Sequence, residues 1–247
     1  MKRLFDIVGS SFGLIVASPV LCPVMFLVWK QDKHSPFYVA PRVGKNGKPF
    51  KMVKLRSMVI NADKSGVDST GANDQRITRV GHFIRRYKLD ELTQLWNVLI
   101  GDMSLVGPRP NVKREIDLYT EVERGLLTVK PGITDFASIV FSDEGEILKD
   151  ANDPDIAYNQ LIRPGKGYLG LFYIDQSSLW LDIQLCFYTV IAILSKEKAL
   201  KGVCSILKSM GAKDNLVLMA KRSEPLQPMP PPGGVKIVTS RDGNPNI

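Results

Sequence analysis

The chain has 247 residues, 44% of them hydrophobic, and a formal net charge of +8. That length suits one sizeable domain with or without a tail, and the apolar content does not describe a multi-span transporter. The basic balance favours anionic lipid headgroups or phosphorylated substrates over nucleic acid, for which no motif is present; Cys22, Cys186 and Cys204 share no metal-ligand spacing and suggest a reducing compartment without disulfides.

Lys2-Arg3 precede an apolar stretch, Leu4 to Trp29, interrupted by Asp6, Ser10, Ser11 and Ser18. As one helix it is about 39 Å long, enough to cross a hydrocarbon core of about 30 Å. Pro19, at its middle, lacks a helix donor and clashes with the preceding turn, and the hydroxyl of Ser18 can satisfy the freed backbone. Each half is too short to cross alone. Cations flank both ends, Lys2 and Arg3 before, Lys30 and Lys33 after, so a cytoplasmic preference for positive charge puts both ends on one side. The residues alone leave two readings open: a re-entrant helix hairpin broken at Ser18-Pro19, and a kinked spanning helix.

Phe37 to Met58 reads as extended segments joined by the turn Gly44-Lys45-Asn46-Gly47, with Lys51, Lys54 and Arg56 as cations. Asn61 to Asn73 is a polar loop whose Asp63 and Asp68 read as turn formers. From Ile77 the pattern is helical. Val80, Phe83 and Ile84 share a face, and Leu89, Leu92, Leu95, Trp96 and Leu99 make a core face. Asp90 and Glu91 open this second helix, just after Arg85 and Arg86. Acids in a first turn complement the helix dipole, and Arg86 and Asp90 have i,i+4 spacing, so the pair by itself has a plain structural reading. Joined to Arg85 and to the stiff Pro108-Arg109-Pro110 turn, it has the groups that phosphoryl chemistry with a divalent metal needs.

Farther on, Lys130-Pro131-Gly132 ends a helical Thr120 to Leu127 region, Ser142 to Pro154 reads as an acidic loop, and Tyr158 to Ile162 as a short helix. Ser178 to Ile193 is the second strongly apolar run. With Tyr168, Trp180 and Tyr188 suited to a headgroup boundary, it reads as lying on the membrane or packing on the domain rather than spanning. Gly202 to Lys221 has a modest amphipathic pattern, and the Pro- and Gly-rich tail from about Ser223 reads as disordered.

Over about residues 1–200 the chain resembles the monotopic phosphoglycosyl transferases, also called bacterial sugar transferases. The resemblance lies in Lys2-Arg3-Leu4-Phe5-Asp6, Ser18-Pro19, Arg42-Val43-Gly44, Lys54-Leu55-Arg56-Ser57-Met58, Thr78-Arg79-Val80-Gly81 and Asp90-Glu91. It continues in Gln94-Leu95-Trp96-Asn97-Val98, Gly101-Asp102-Met103-Ser104, Gly107-Pro108-Arg109-Pro110, Lys130-Pro131-Gly132-Ile133-Thr134 and Ser178-Leu179-Trp180-Leu181-Asp182. The chain departs from the pattern at Thr93, usually proline, at Leu55, often phenylalanine, and at Asp135-Phe136, where many members have glycine and an aromatic or small residue.

The resemblance implies a mostly α fold with a small β element. A re-entrant membrane helix occupies residues 1–30 with its break at Ser18-Pro19, a compact catalytic domain with membrane-surface amphipathic helices occupies 31–201, and 202–247 is an extension. It implies a two-step transfer of sugar-1-phosphate from a UDP-sugar to polyprenyl (undecaprenyl) phosphate, with UMP released. Asp90 is then the nucleophile, Glu91 is catalytic with it by orienting the acceptor or the metal, and Asp90 and Glu91 hold Mg2+. Lys54, Arg56, Arg85, Pro108, Arg109 and Pro110 bind substrate. The implied place is the bacterial inner membrane, with the catalytic domain facing the cytoplasm. Membrane lipids are expected partners; a homodimer and contacts with downstream glycosyltransferases stay open.

Overall fold

The computed structural model describes residues 1–62 and 74–240. Most of the expected 61–73 loop, with Asp63 and Asp68, lies outside the described residues. In chain order the elements are α1 (Lys2–Asp32), β1 (Phe37–Val43), β2 (Pro49–Leu55), α2 (Arg79–Arg86), α3 (Leu89–Leu92), α4 (Leu95–Ile100), β3 (Ser104–Val106) and α5 (Lys113–Asp117). They continue with β4 (Gly132–Thr134), α6 (Phe136–Val140), α7 (Glu144–Ile147), α8 (Pro154–Ala157), α9 (Arg163–Asp175), α10 (Leu179–Leu194), α11 (Lys196–Ser209) and α12 (Asp214–Lys221). Among the described residues the fold is mostly α with two small two-stranded sheets.

The two half-helices expected around Pro19 form one element, α1, which continues through Pro19 and Pro23. Pro19 has no N–H to give the carbonyl of Ile15, and Ser18 Oγ donates to that carbonyl instead, at 2.8 Å. Asp6, Ser10, Ala17, Leu21, Val24 and Val28 form a buried stripe along one side. Phe12, Ile15, Val16, Val20, Phe26 and Trp29 leave the other side apolar and exposed.

Both ends of α1 are held by the same body of protein. Lys2 Nζ lies 2.5 Å from Asp182 and 3.1 Å from both Val106 O and the Tyr173 hydroxyl. Arg3 donates to the carbonyls of Val98 and Leu99 at 2.6 and 2.7 Å, in the last turn of α4. Asp6 accepts from Ser104 Oγ and Leu105 N, each at 2.9 Å. At the far end Asp32 takes the guanidinium of Arg56.

β1 and β2 form the expected antiparallel hairpin, with Asn46 and Gly47 left-handed at φ 57° and 74°. Met52 of β2 packs with Val98 and Met103, and strand alternation puts Lys54 on the same face. Buried Asn97 ties the hairpin to α4: its Oδ1 accepts from Val53 N at 2.9 Å and its Nδ2 donates to Lys51 O at 2.7 Å. The single helix expected through Leu89–Leu99 is α3 and α4, joined at Thr93-Gln94. Trp96, expected in the core, is exposed, because Leu95 and Val98 take the inward direction and each residue turns the helix by about 100°. Phe83 is likewise exposed, while Ile84 is buried.

β3 and β4 pair in parallel, joining two motifs far apart in sequence. Three-residue strands are too short for alternation to reveal them. A Cβ on Gly132 would stand 2.1 Å from Gly107 N, so the two backbones meet where no side chain fits. Gly107 N donates to Thr134 O at 2.9 Å and Gly132 N to Pro108 O at 3.0 Å, which fixes the start of Pro108-Arg109-Pro110. Gly132→Ala is expected to force these chains apart and cost at least about 2 kcal/mol, a fall in Tm of about 4–8 °C by differential scanning calorimetry. An unchanged Tm would show that the contact relaxes without strain.

The largest core joins Phe136 and Ile139 of α6, Leu169 of α9, Leu181 and Leu185 of α10, Val203 and Leu207 of α11, and Val217 of α12. A boundary at residue 201 therefore falls inside α11, and α11 and α12 belong to the domain core. Tyr188, expected at a headgroup boundary, packs on Gly202 of α11 instead. The expected acidic loop holds one helical turn, α7. The tail from Ser223 through residue 240 is irregular, yet it is not the detached segment its composition suggests. Met229 N donates to Gln160 O at 3.1 Å, Gln160 Nε2 to Val238 O at 2.7 Å, and Thr120 Oγ1 to Pro232 O. Proline has no N–H to satisfy, so a proline-rich strap can pack with few hydrogen bonds.

Candidate active site

Asp90 and Glu91 are presented by a sharp change of direction. Lys88 has a left-handed φ of 52°, which ends the α2 segment and starts α3. For a residue with a side chain this conformation costs about 1–2 kcal/mol. Leu89 is buried against Leu55, Ile84 and the Val24–Val28 part of α1, so the membrane-type helix supports the acid pair from below. Thr93 Oγ1 lies 3.0 Å from Asp90 O and 3.2 Å from Val53 O, bracing α3 on β2 by hydrogen bonding where the resemblance leads one to expect a proline ring.

The pair opens on a cavity of about 910 Å³ whose wall includes Lys54, Arg56, Arg85, Asp90, Glu91, Pro108, Arg109 and Pro110. Their parts differ. Arg109 Nη2 pairs with Glu91 Oε1 at 2.9 Å. Arg56 is nearly buried and engaged elsewhere, with Nη2 at 2.8 Å from Asp32 and Nε donating to Ser35 O at 2.8 Å. It anchors the end of α1 beside β2, with Nε, Nη1 and Nη2 all engaged there. Ser18 and Pro19 lie outside the cavity wall. The Arg86–Asp90 pair that helix spacing allows is not formed; Arg86 stands over the ring of Tyr87 at 5.6 Å.

Among the described residues, no hydrogen bond or ion pair reaches the Asp90 carboxylate. Burial pushes its pKa up, against the pull of Lys54, Arg109 and Arg85 and with the help of the Glu91 charge. Burial acts the same way on Glu91, but Arg109, Lys88 and Lys54 together outweigh it and hold that carboxyl below its usual range. Glu91 in turn raises the pKa of Arg109. Lys54 is pushed down to about 8, chiefly by burial and then by the Arg109 charge.

No group of three or more His, Cys, Asp or Glu side chains forms a metal site among the described residues. Magnesium is commonly held by one or two carboxylates, with substrate phosphates and water completing the shell. Asp90, unpartnered and beside Glu91, fits that donor set.

Another part of the wall was not legible as a site. It includes Asp135, Ser138, Glu144, Tyr158, Arg163 and Lys166. Tyr158 starts a π-helical turn, Tyr158–Ile162, that leads into Arg163, the first residue of α9. Arg163 is paired in the interior with Glu123, Nε to Oε1 at 3.0 Å and Nη2 to Oε2 at 2.6 Å. Glu123 also accepts from Thr120 N at 3.0 Å while Thr120 Oγ1 accepts from Glu123 N at 3.0 Å, a reciprocal capping box. The spacing Thr120-x-x-Glu123 was the readable signal for this half.

Residues 1–196 match the model of the family described as bacterial sugar transferase. The UDP-galactose-lipid carrier transferase of Erwinia amylovora is 35% identical over 214 residues, 81% of this chain and 41% of that protein. The undecaprenyl-phosphate galactose phosphotransferase of Salmonella typhimurium is 36% identical over 81% of this chain and 41% of its own length. An uncharacterized sugar transferase of Bacillus subtilis, EpsL, is 34% identical over 80% of this chain and 89% of its own. The chain thus spans about two fifths of the first two relatives and most of the third. Matched over most of its length, this chain belongs to the bacterial sugar transferase family.

Proposed function

We propose that the protein is a membrane-bound phosphoglycosyl transferase, moving a sugar-1-phosphate from a UDP-sugar to polyprenyl (undecaprenyl) phosphate with release of UMP. The observation that carries this reading is the Asp90 carboxylate, unpartnered in a cavity ringed by Lys54, Arg85 and Arg109. Asp90 attacks the β-phosphorus, the bond to the UMP oxygen breaks, and UMP leaves with the bonding electrons. An oxygen of the polyprenyl phosphate then attacks the same phosphorus and returns Asp90 as a carboxylate. Two displacements replace one difficult meeting of anions.

Lys54 and Arg85 hold the diphosphate by charge. Arg109 keeps Glu91 ionised beside it, and Pro108 and Pro110 stiffen the wall. Magnesium on Asp90 and Glu91 would neutralise phosphate charge and steady the leaving group. The reading needs neither a homodimer nor a downstream glycosyltransferase.

Membrane attachment follows from α1 and α10. A spanning helix carries its ends to opposite sides of a bilayer, whereas Lys2 and Asp32 are both bound to one domain. This argues against a spanning path for the continuous helix α1, and the cations at both its ends favour the cytoplasmic side of the inner membrane for the domain. Exposed Trp180, Phe187, Val190, Ile193 and Leu194 give α10 an apolar face suited to the membrane surface.

The test is UMP release by the full chain in nanodiscs with magnesium, undecaprenyl phosphate and a panel of UDP-sugars. Release with one or more sugars is expected; binding of UDP-sugars with no release from any would replace the enzyme with a scaffold.

The pH dependence has a defined sign. Lys54 is a cation below its pKa and neutral above it, so release should decline as pH rises through about 8. Because burial raises the Asp90 pKa, the rising limb should lie above the usual carboxylate range. Lys54→Arg, whose guanidinium stays charged, should remove the upper limb. A wild-type rate flat from pH 7 to 9 would take Lys54 out of this role.

A further inference from the structure

Asp135 is one of the positions at which the chain departs from the pattern it resembles, and it stands in the wall of the cavity. The residue is only 2% exposed. It caps α6, and the cap uses one oxygen: Oδ1 accepts from Ser138 N and Ser138 Oγ, each at 2.7 Å. Serine or asparagine would serve a cap as well. The second oxygen has no such explanation. No hydrogen bond from a described residue reaches Oδ2, yet it is not sealed, since Gln94 Nε2 is the one sealed and unpaired side-chain polar atom among the described residues. It therefore opens on the cavity.

A nearly buried carboxylate oxygen without a donor is costly unless something supplies one. The neighbouring cation is already committed: Lys166 pairs with Glu144 and stands over the Tyr158 ring at 5.0 Å. Burial pushes the pKa of Asp135 up, against the hydrogen bonds from Ser138 and the charges of Lys166 and Arg109; Arg109 also pulls on Asp90 and Glu91. A diphosphate brought to Asp90 leaves its sugar next to the reacting phosphorus, while the uracil is farther along.

Given the phosphoglycosyl transfer proposed above, we infer that Asp135 is a specificity residue, whose free Oδ2 accepts a hydrogen bond from a hydroxyl or N–H of the sugar. It discriminates among sugars by whether a donor stands at that position, because an acceptor left unpaired in a closed site penalises the wrong substrate.

Asp135→Asn separates this role from capping. The amide oxygen keeps the bonds to Ser138, while an NH2 donor replaces the cavity-facing acceptor. The full chain in nanodiscs is assayed for kcat/KM with UDP-sugars that differ at C2 and C4, and for inhibition by UMP. Expected are a loss of at least about tenfold with the best sugar, a much smaller loss with the poorest, and unchanged UMP inhibition. Unchanged ratios across the panel overturn the inference, as does a uniform loss matched by weaker UMP binding, which would assign Asp135 to the nucleotide. If the amide variant does not fold, Asp135→Ser keeps a capping oxygen, lacks Oδ2 and is read the same way. Wild-type protein that releases no UMP from any sugar overturns the transferase reading itself, and this inference with it; release with unaltered ratios overturns the inference alone.

Discussion

Asp90→Asn lowers UMP release by at least about 1,000-fold and leaves the protein folded, since losses of this size accompany removal of a covalent nucleophile. The amide is close in shape to the carboxylate but cannot attack phosphorus. Its structural effect should be small, because no described residue bonds or pairs with the Asp90 carboxylate. Burial disfavours the charge that the substitution removes, so Tm should hold or rise. The covalent step has its own readout. Wild-type protein quenched after UDP-sugar alone should carry one phosphosugar by intact-mass measurement, and the variant none. Release by the variant above about a tenth of the wild-type rate would place the nucleophile elsewhere and leave Asp90 a ligand or an orienting group. Glu91→Gln is the useful contrast, because it weakens the hold of Arg109 while leaving the nucleophile in place.

Arg163→Ala carries the largest expected effect on stability. The Arg163–Glu123 pair is nearly sealed, with side chains 6% and 1% exposed. Removing the guanidinium strands a carboxylate in the interior, at about 3–5 kcal/mol, or a fall in Tm of about 6–20 °C. The loss extends past the ion pair. Arg163 Nη2 also donates to Leu118 O at 2.7 Å, and Glu123 caps the turn that starts at Thr120, on which the carbonyl of Pro232 rests. Glu123→Gln should be milder, since a neutral amide retains the capping bond. If Arg163→Ala and wild type melt within about 2 °C of each other, water or a rearranged side chain compensates the charge, and the pair is no keystone of this wall.

Much of the acid-pair side of the cavity was legible because its chemistry is local. Asp90-Glu91 and Pro108-Arg109-Pro110 are short runs whose residue types carry meaning wherever the chain puts them. The Gly44–Gly47 hairpin was legible for the same reason, since its turn needs left-handed backbone. Arg56 shows the limit: as a cation on a strand it looks like Lys54, and only the end of α1, brought back to β2, shows that its donors go to Asp32 and Ser35. The β3–β4 contact, the partners of Lys2 and Asp6, and the Asp135 side of the cavity depend on pairings across tens of residues, which periodicity does not report. Composition misled at the tail, where proline content suggests disorder but packing against Gly167 and Gln160 tethers it.

The burial of Leu89 against Val24 and Val28 has a consequence for the modularity of this protein. On the membrane attachment proposed above, one helix is at once the part that meets lipid and a structural wall of the catalytic domain. Excising residues 1–32 would not liberate a water-compatible enzyme. It would uncover the apolar trench of Leu55, Ile84 and Leu89, strip Asp182 and Arg56 of their ion-pair partners, and remove the floor beneath the acid pair. Anchor and reaction centre are therefore inherited together. A substitution in the lipid-facing segment can register as a catalytic defect, and exchanging that segment between relatives requires exchanging the surface that receives it.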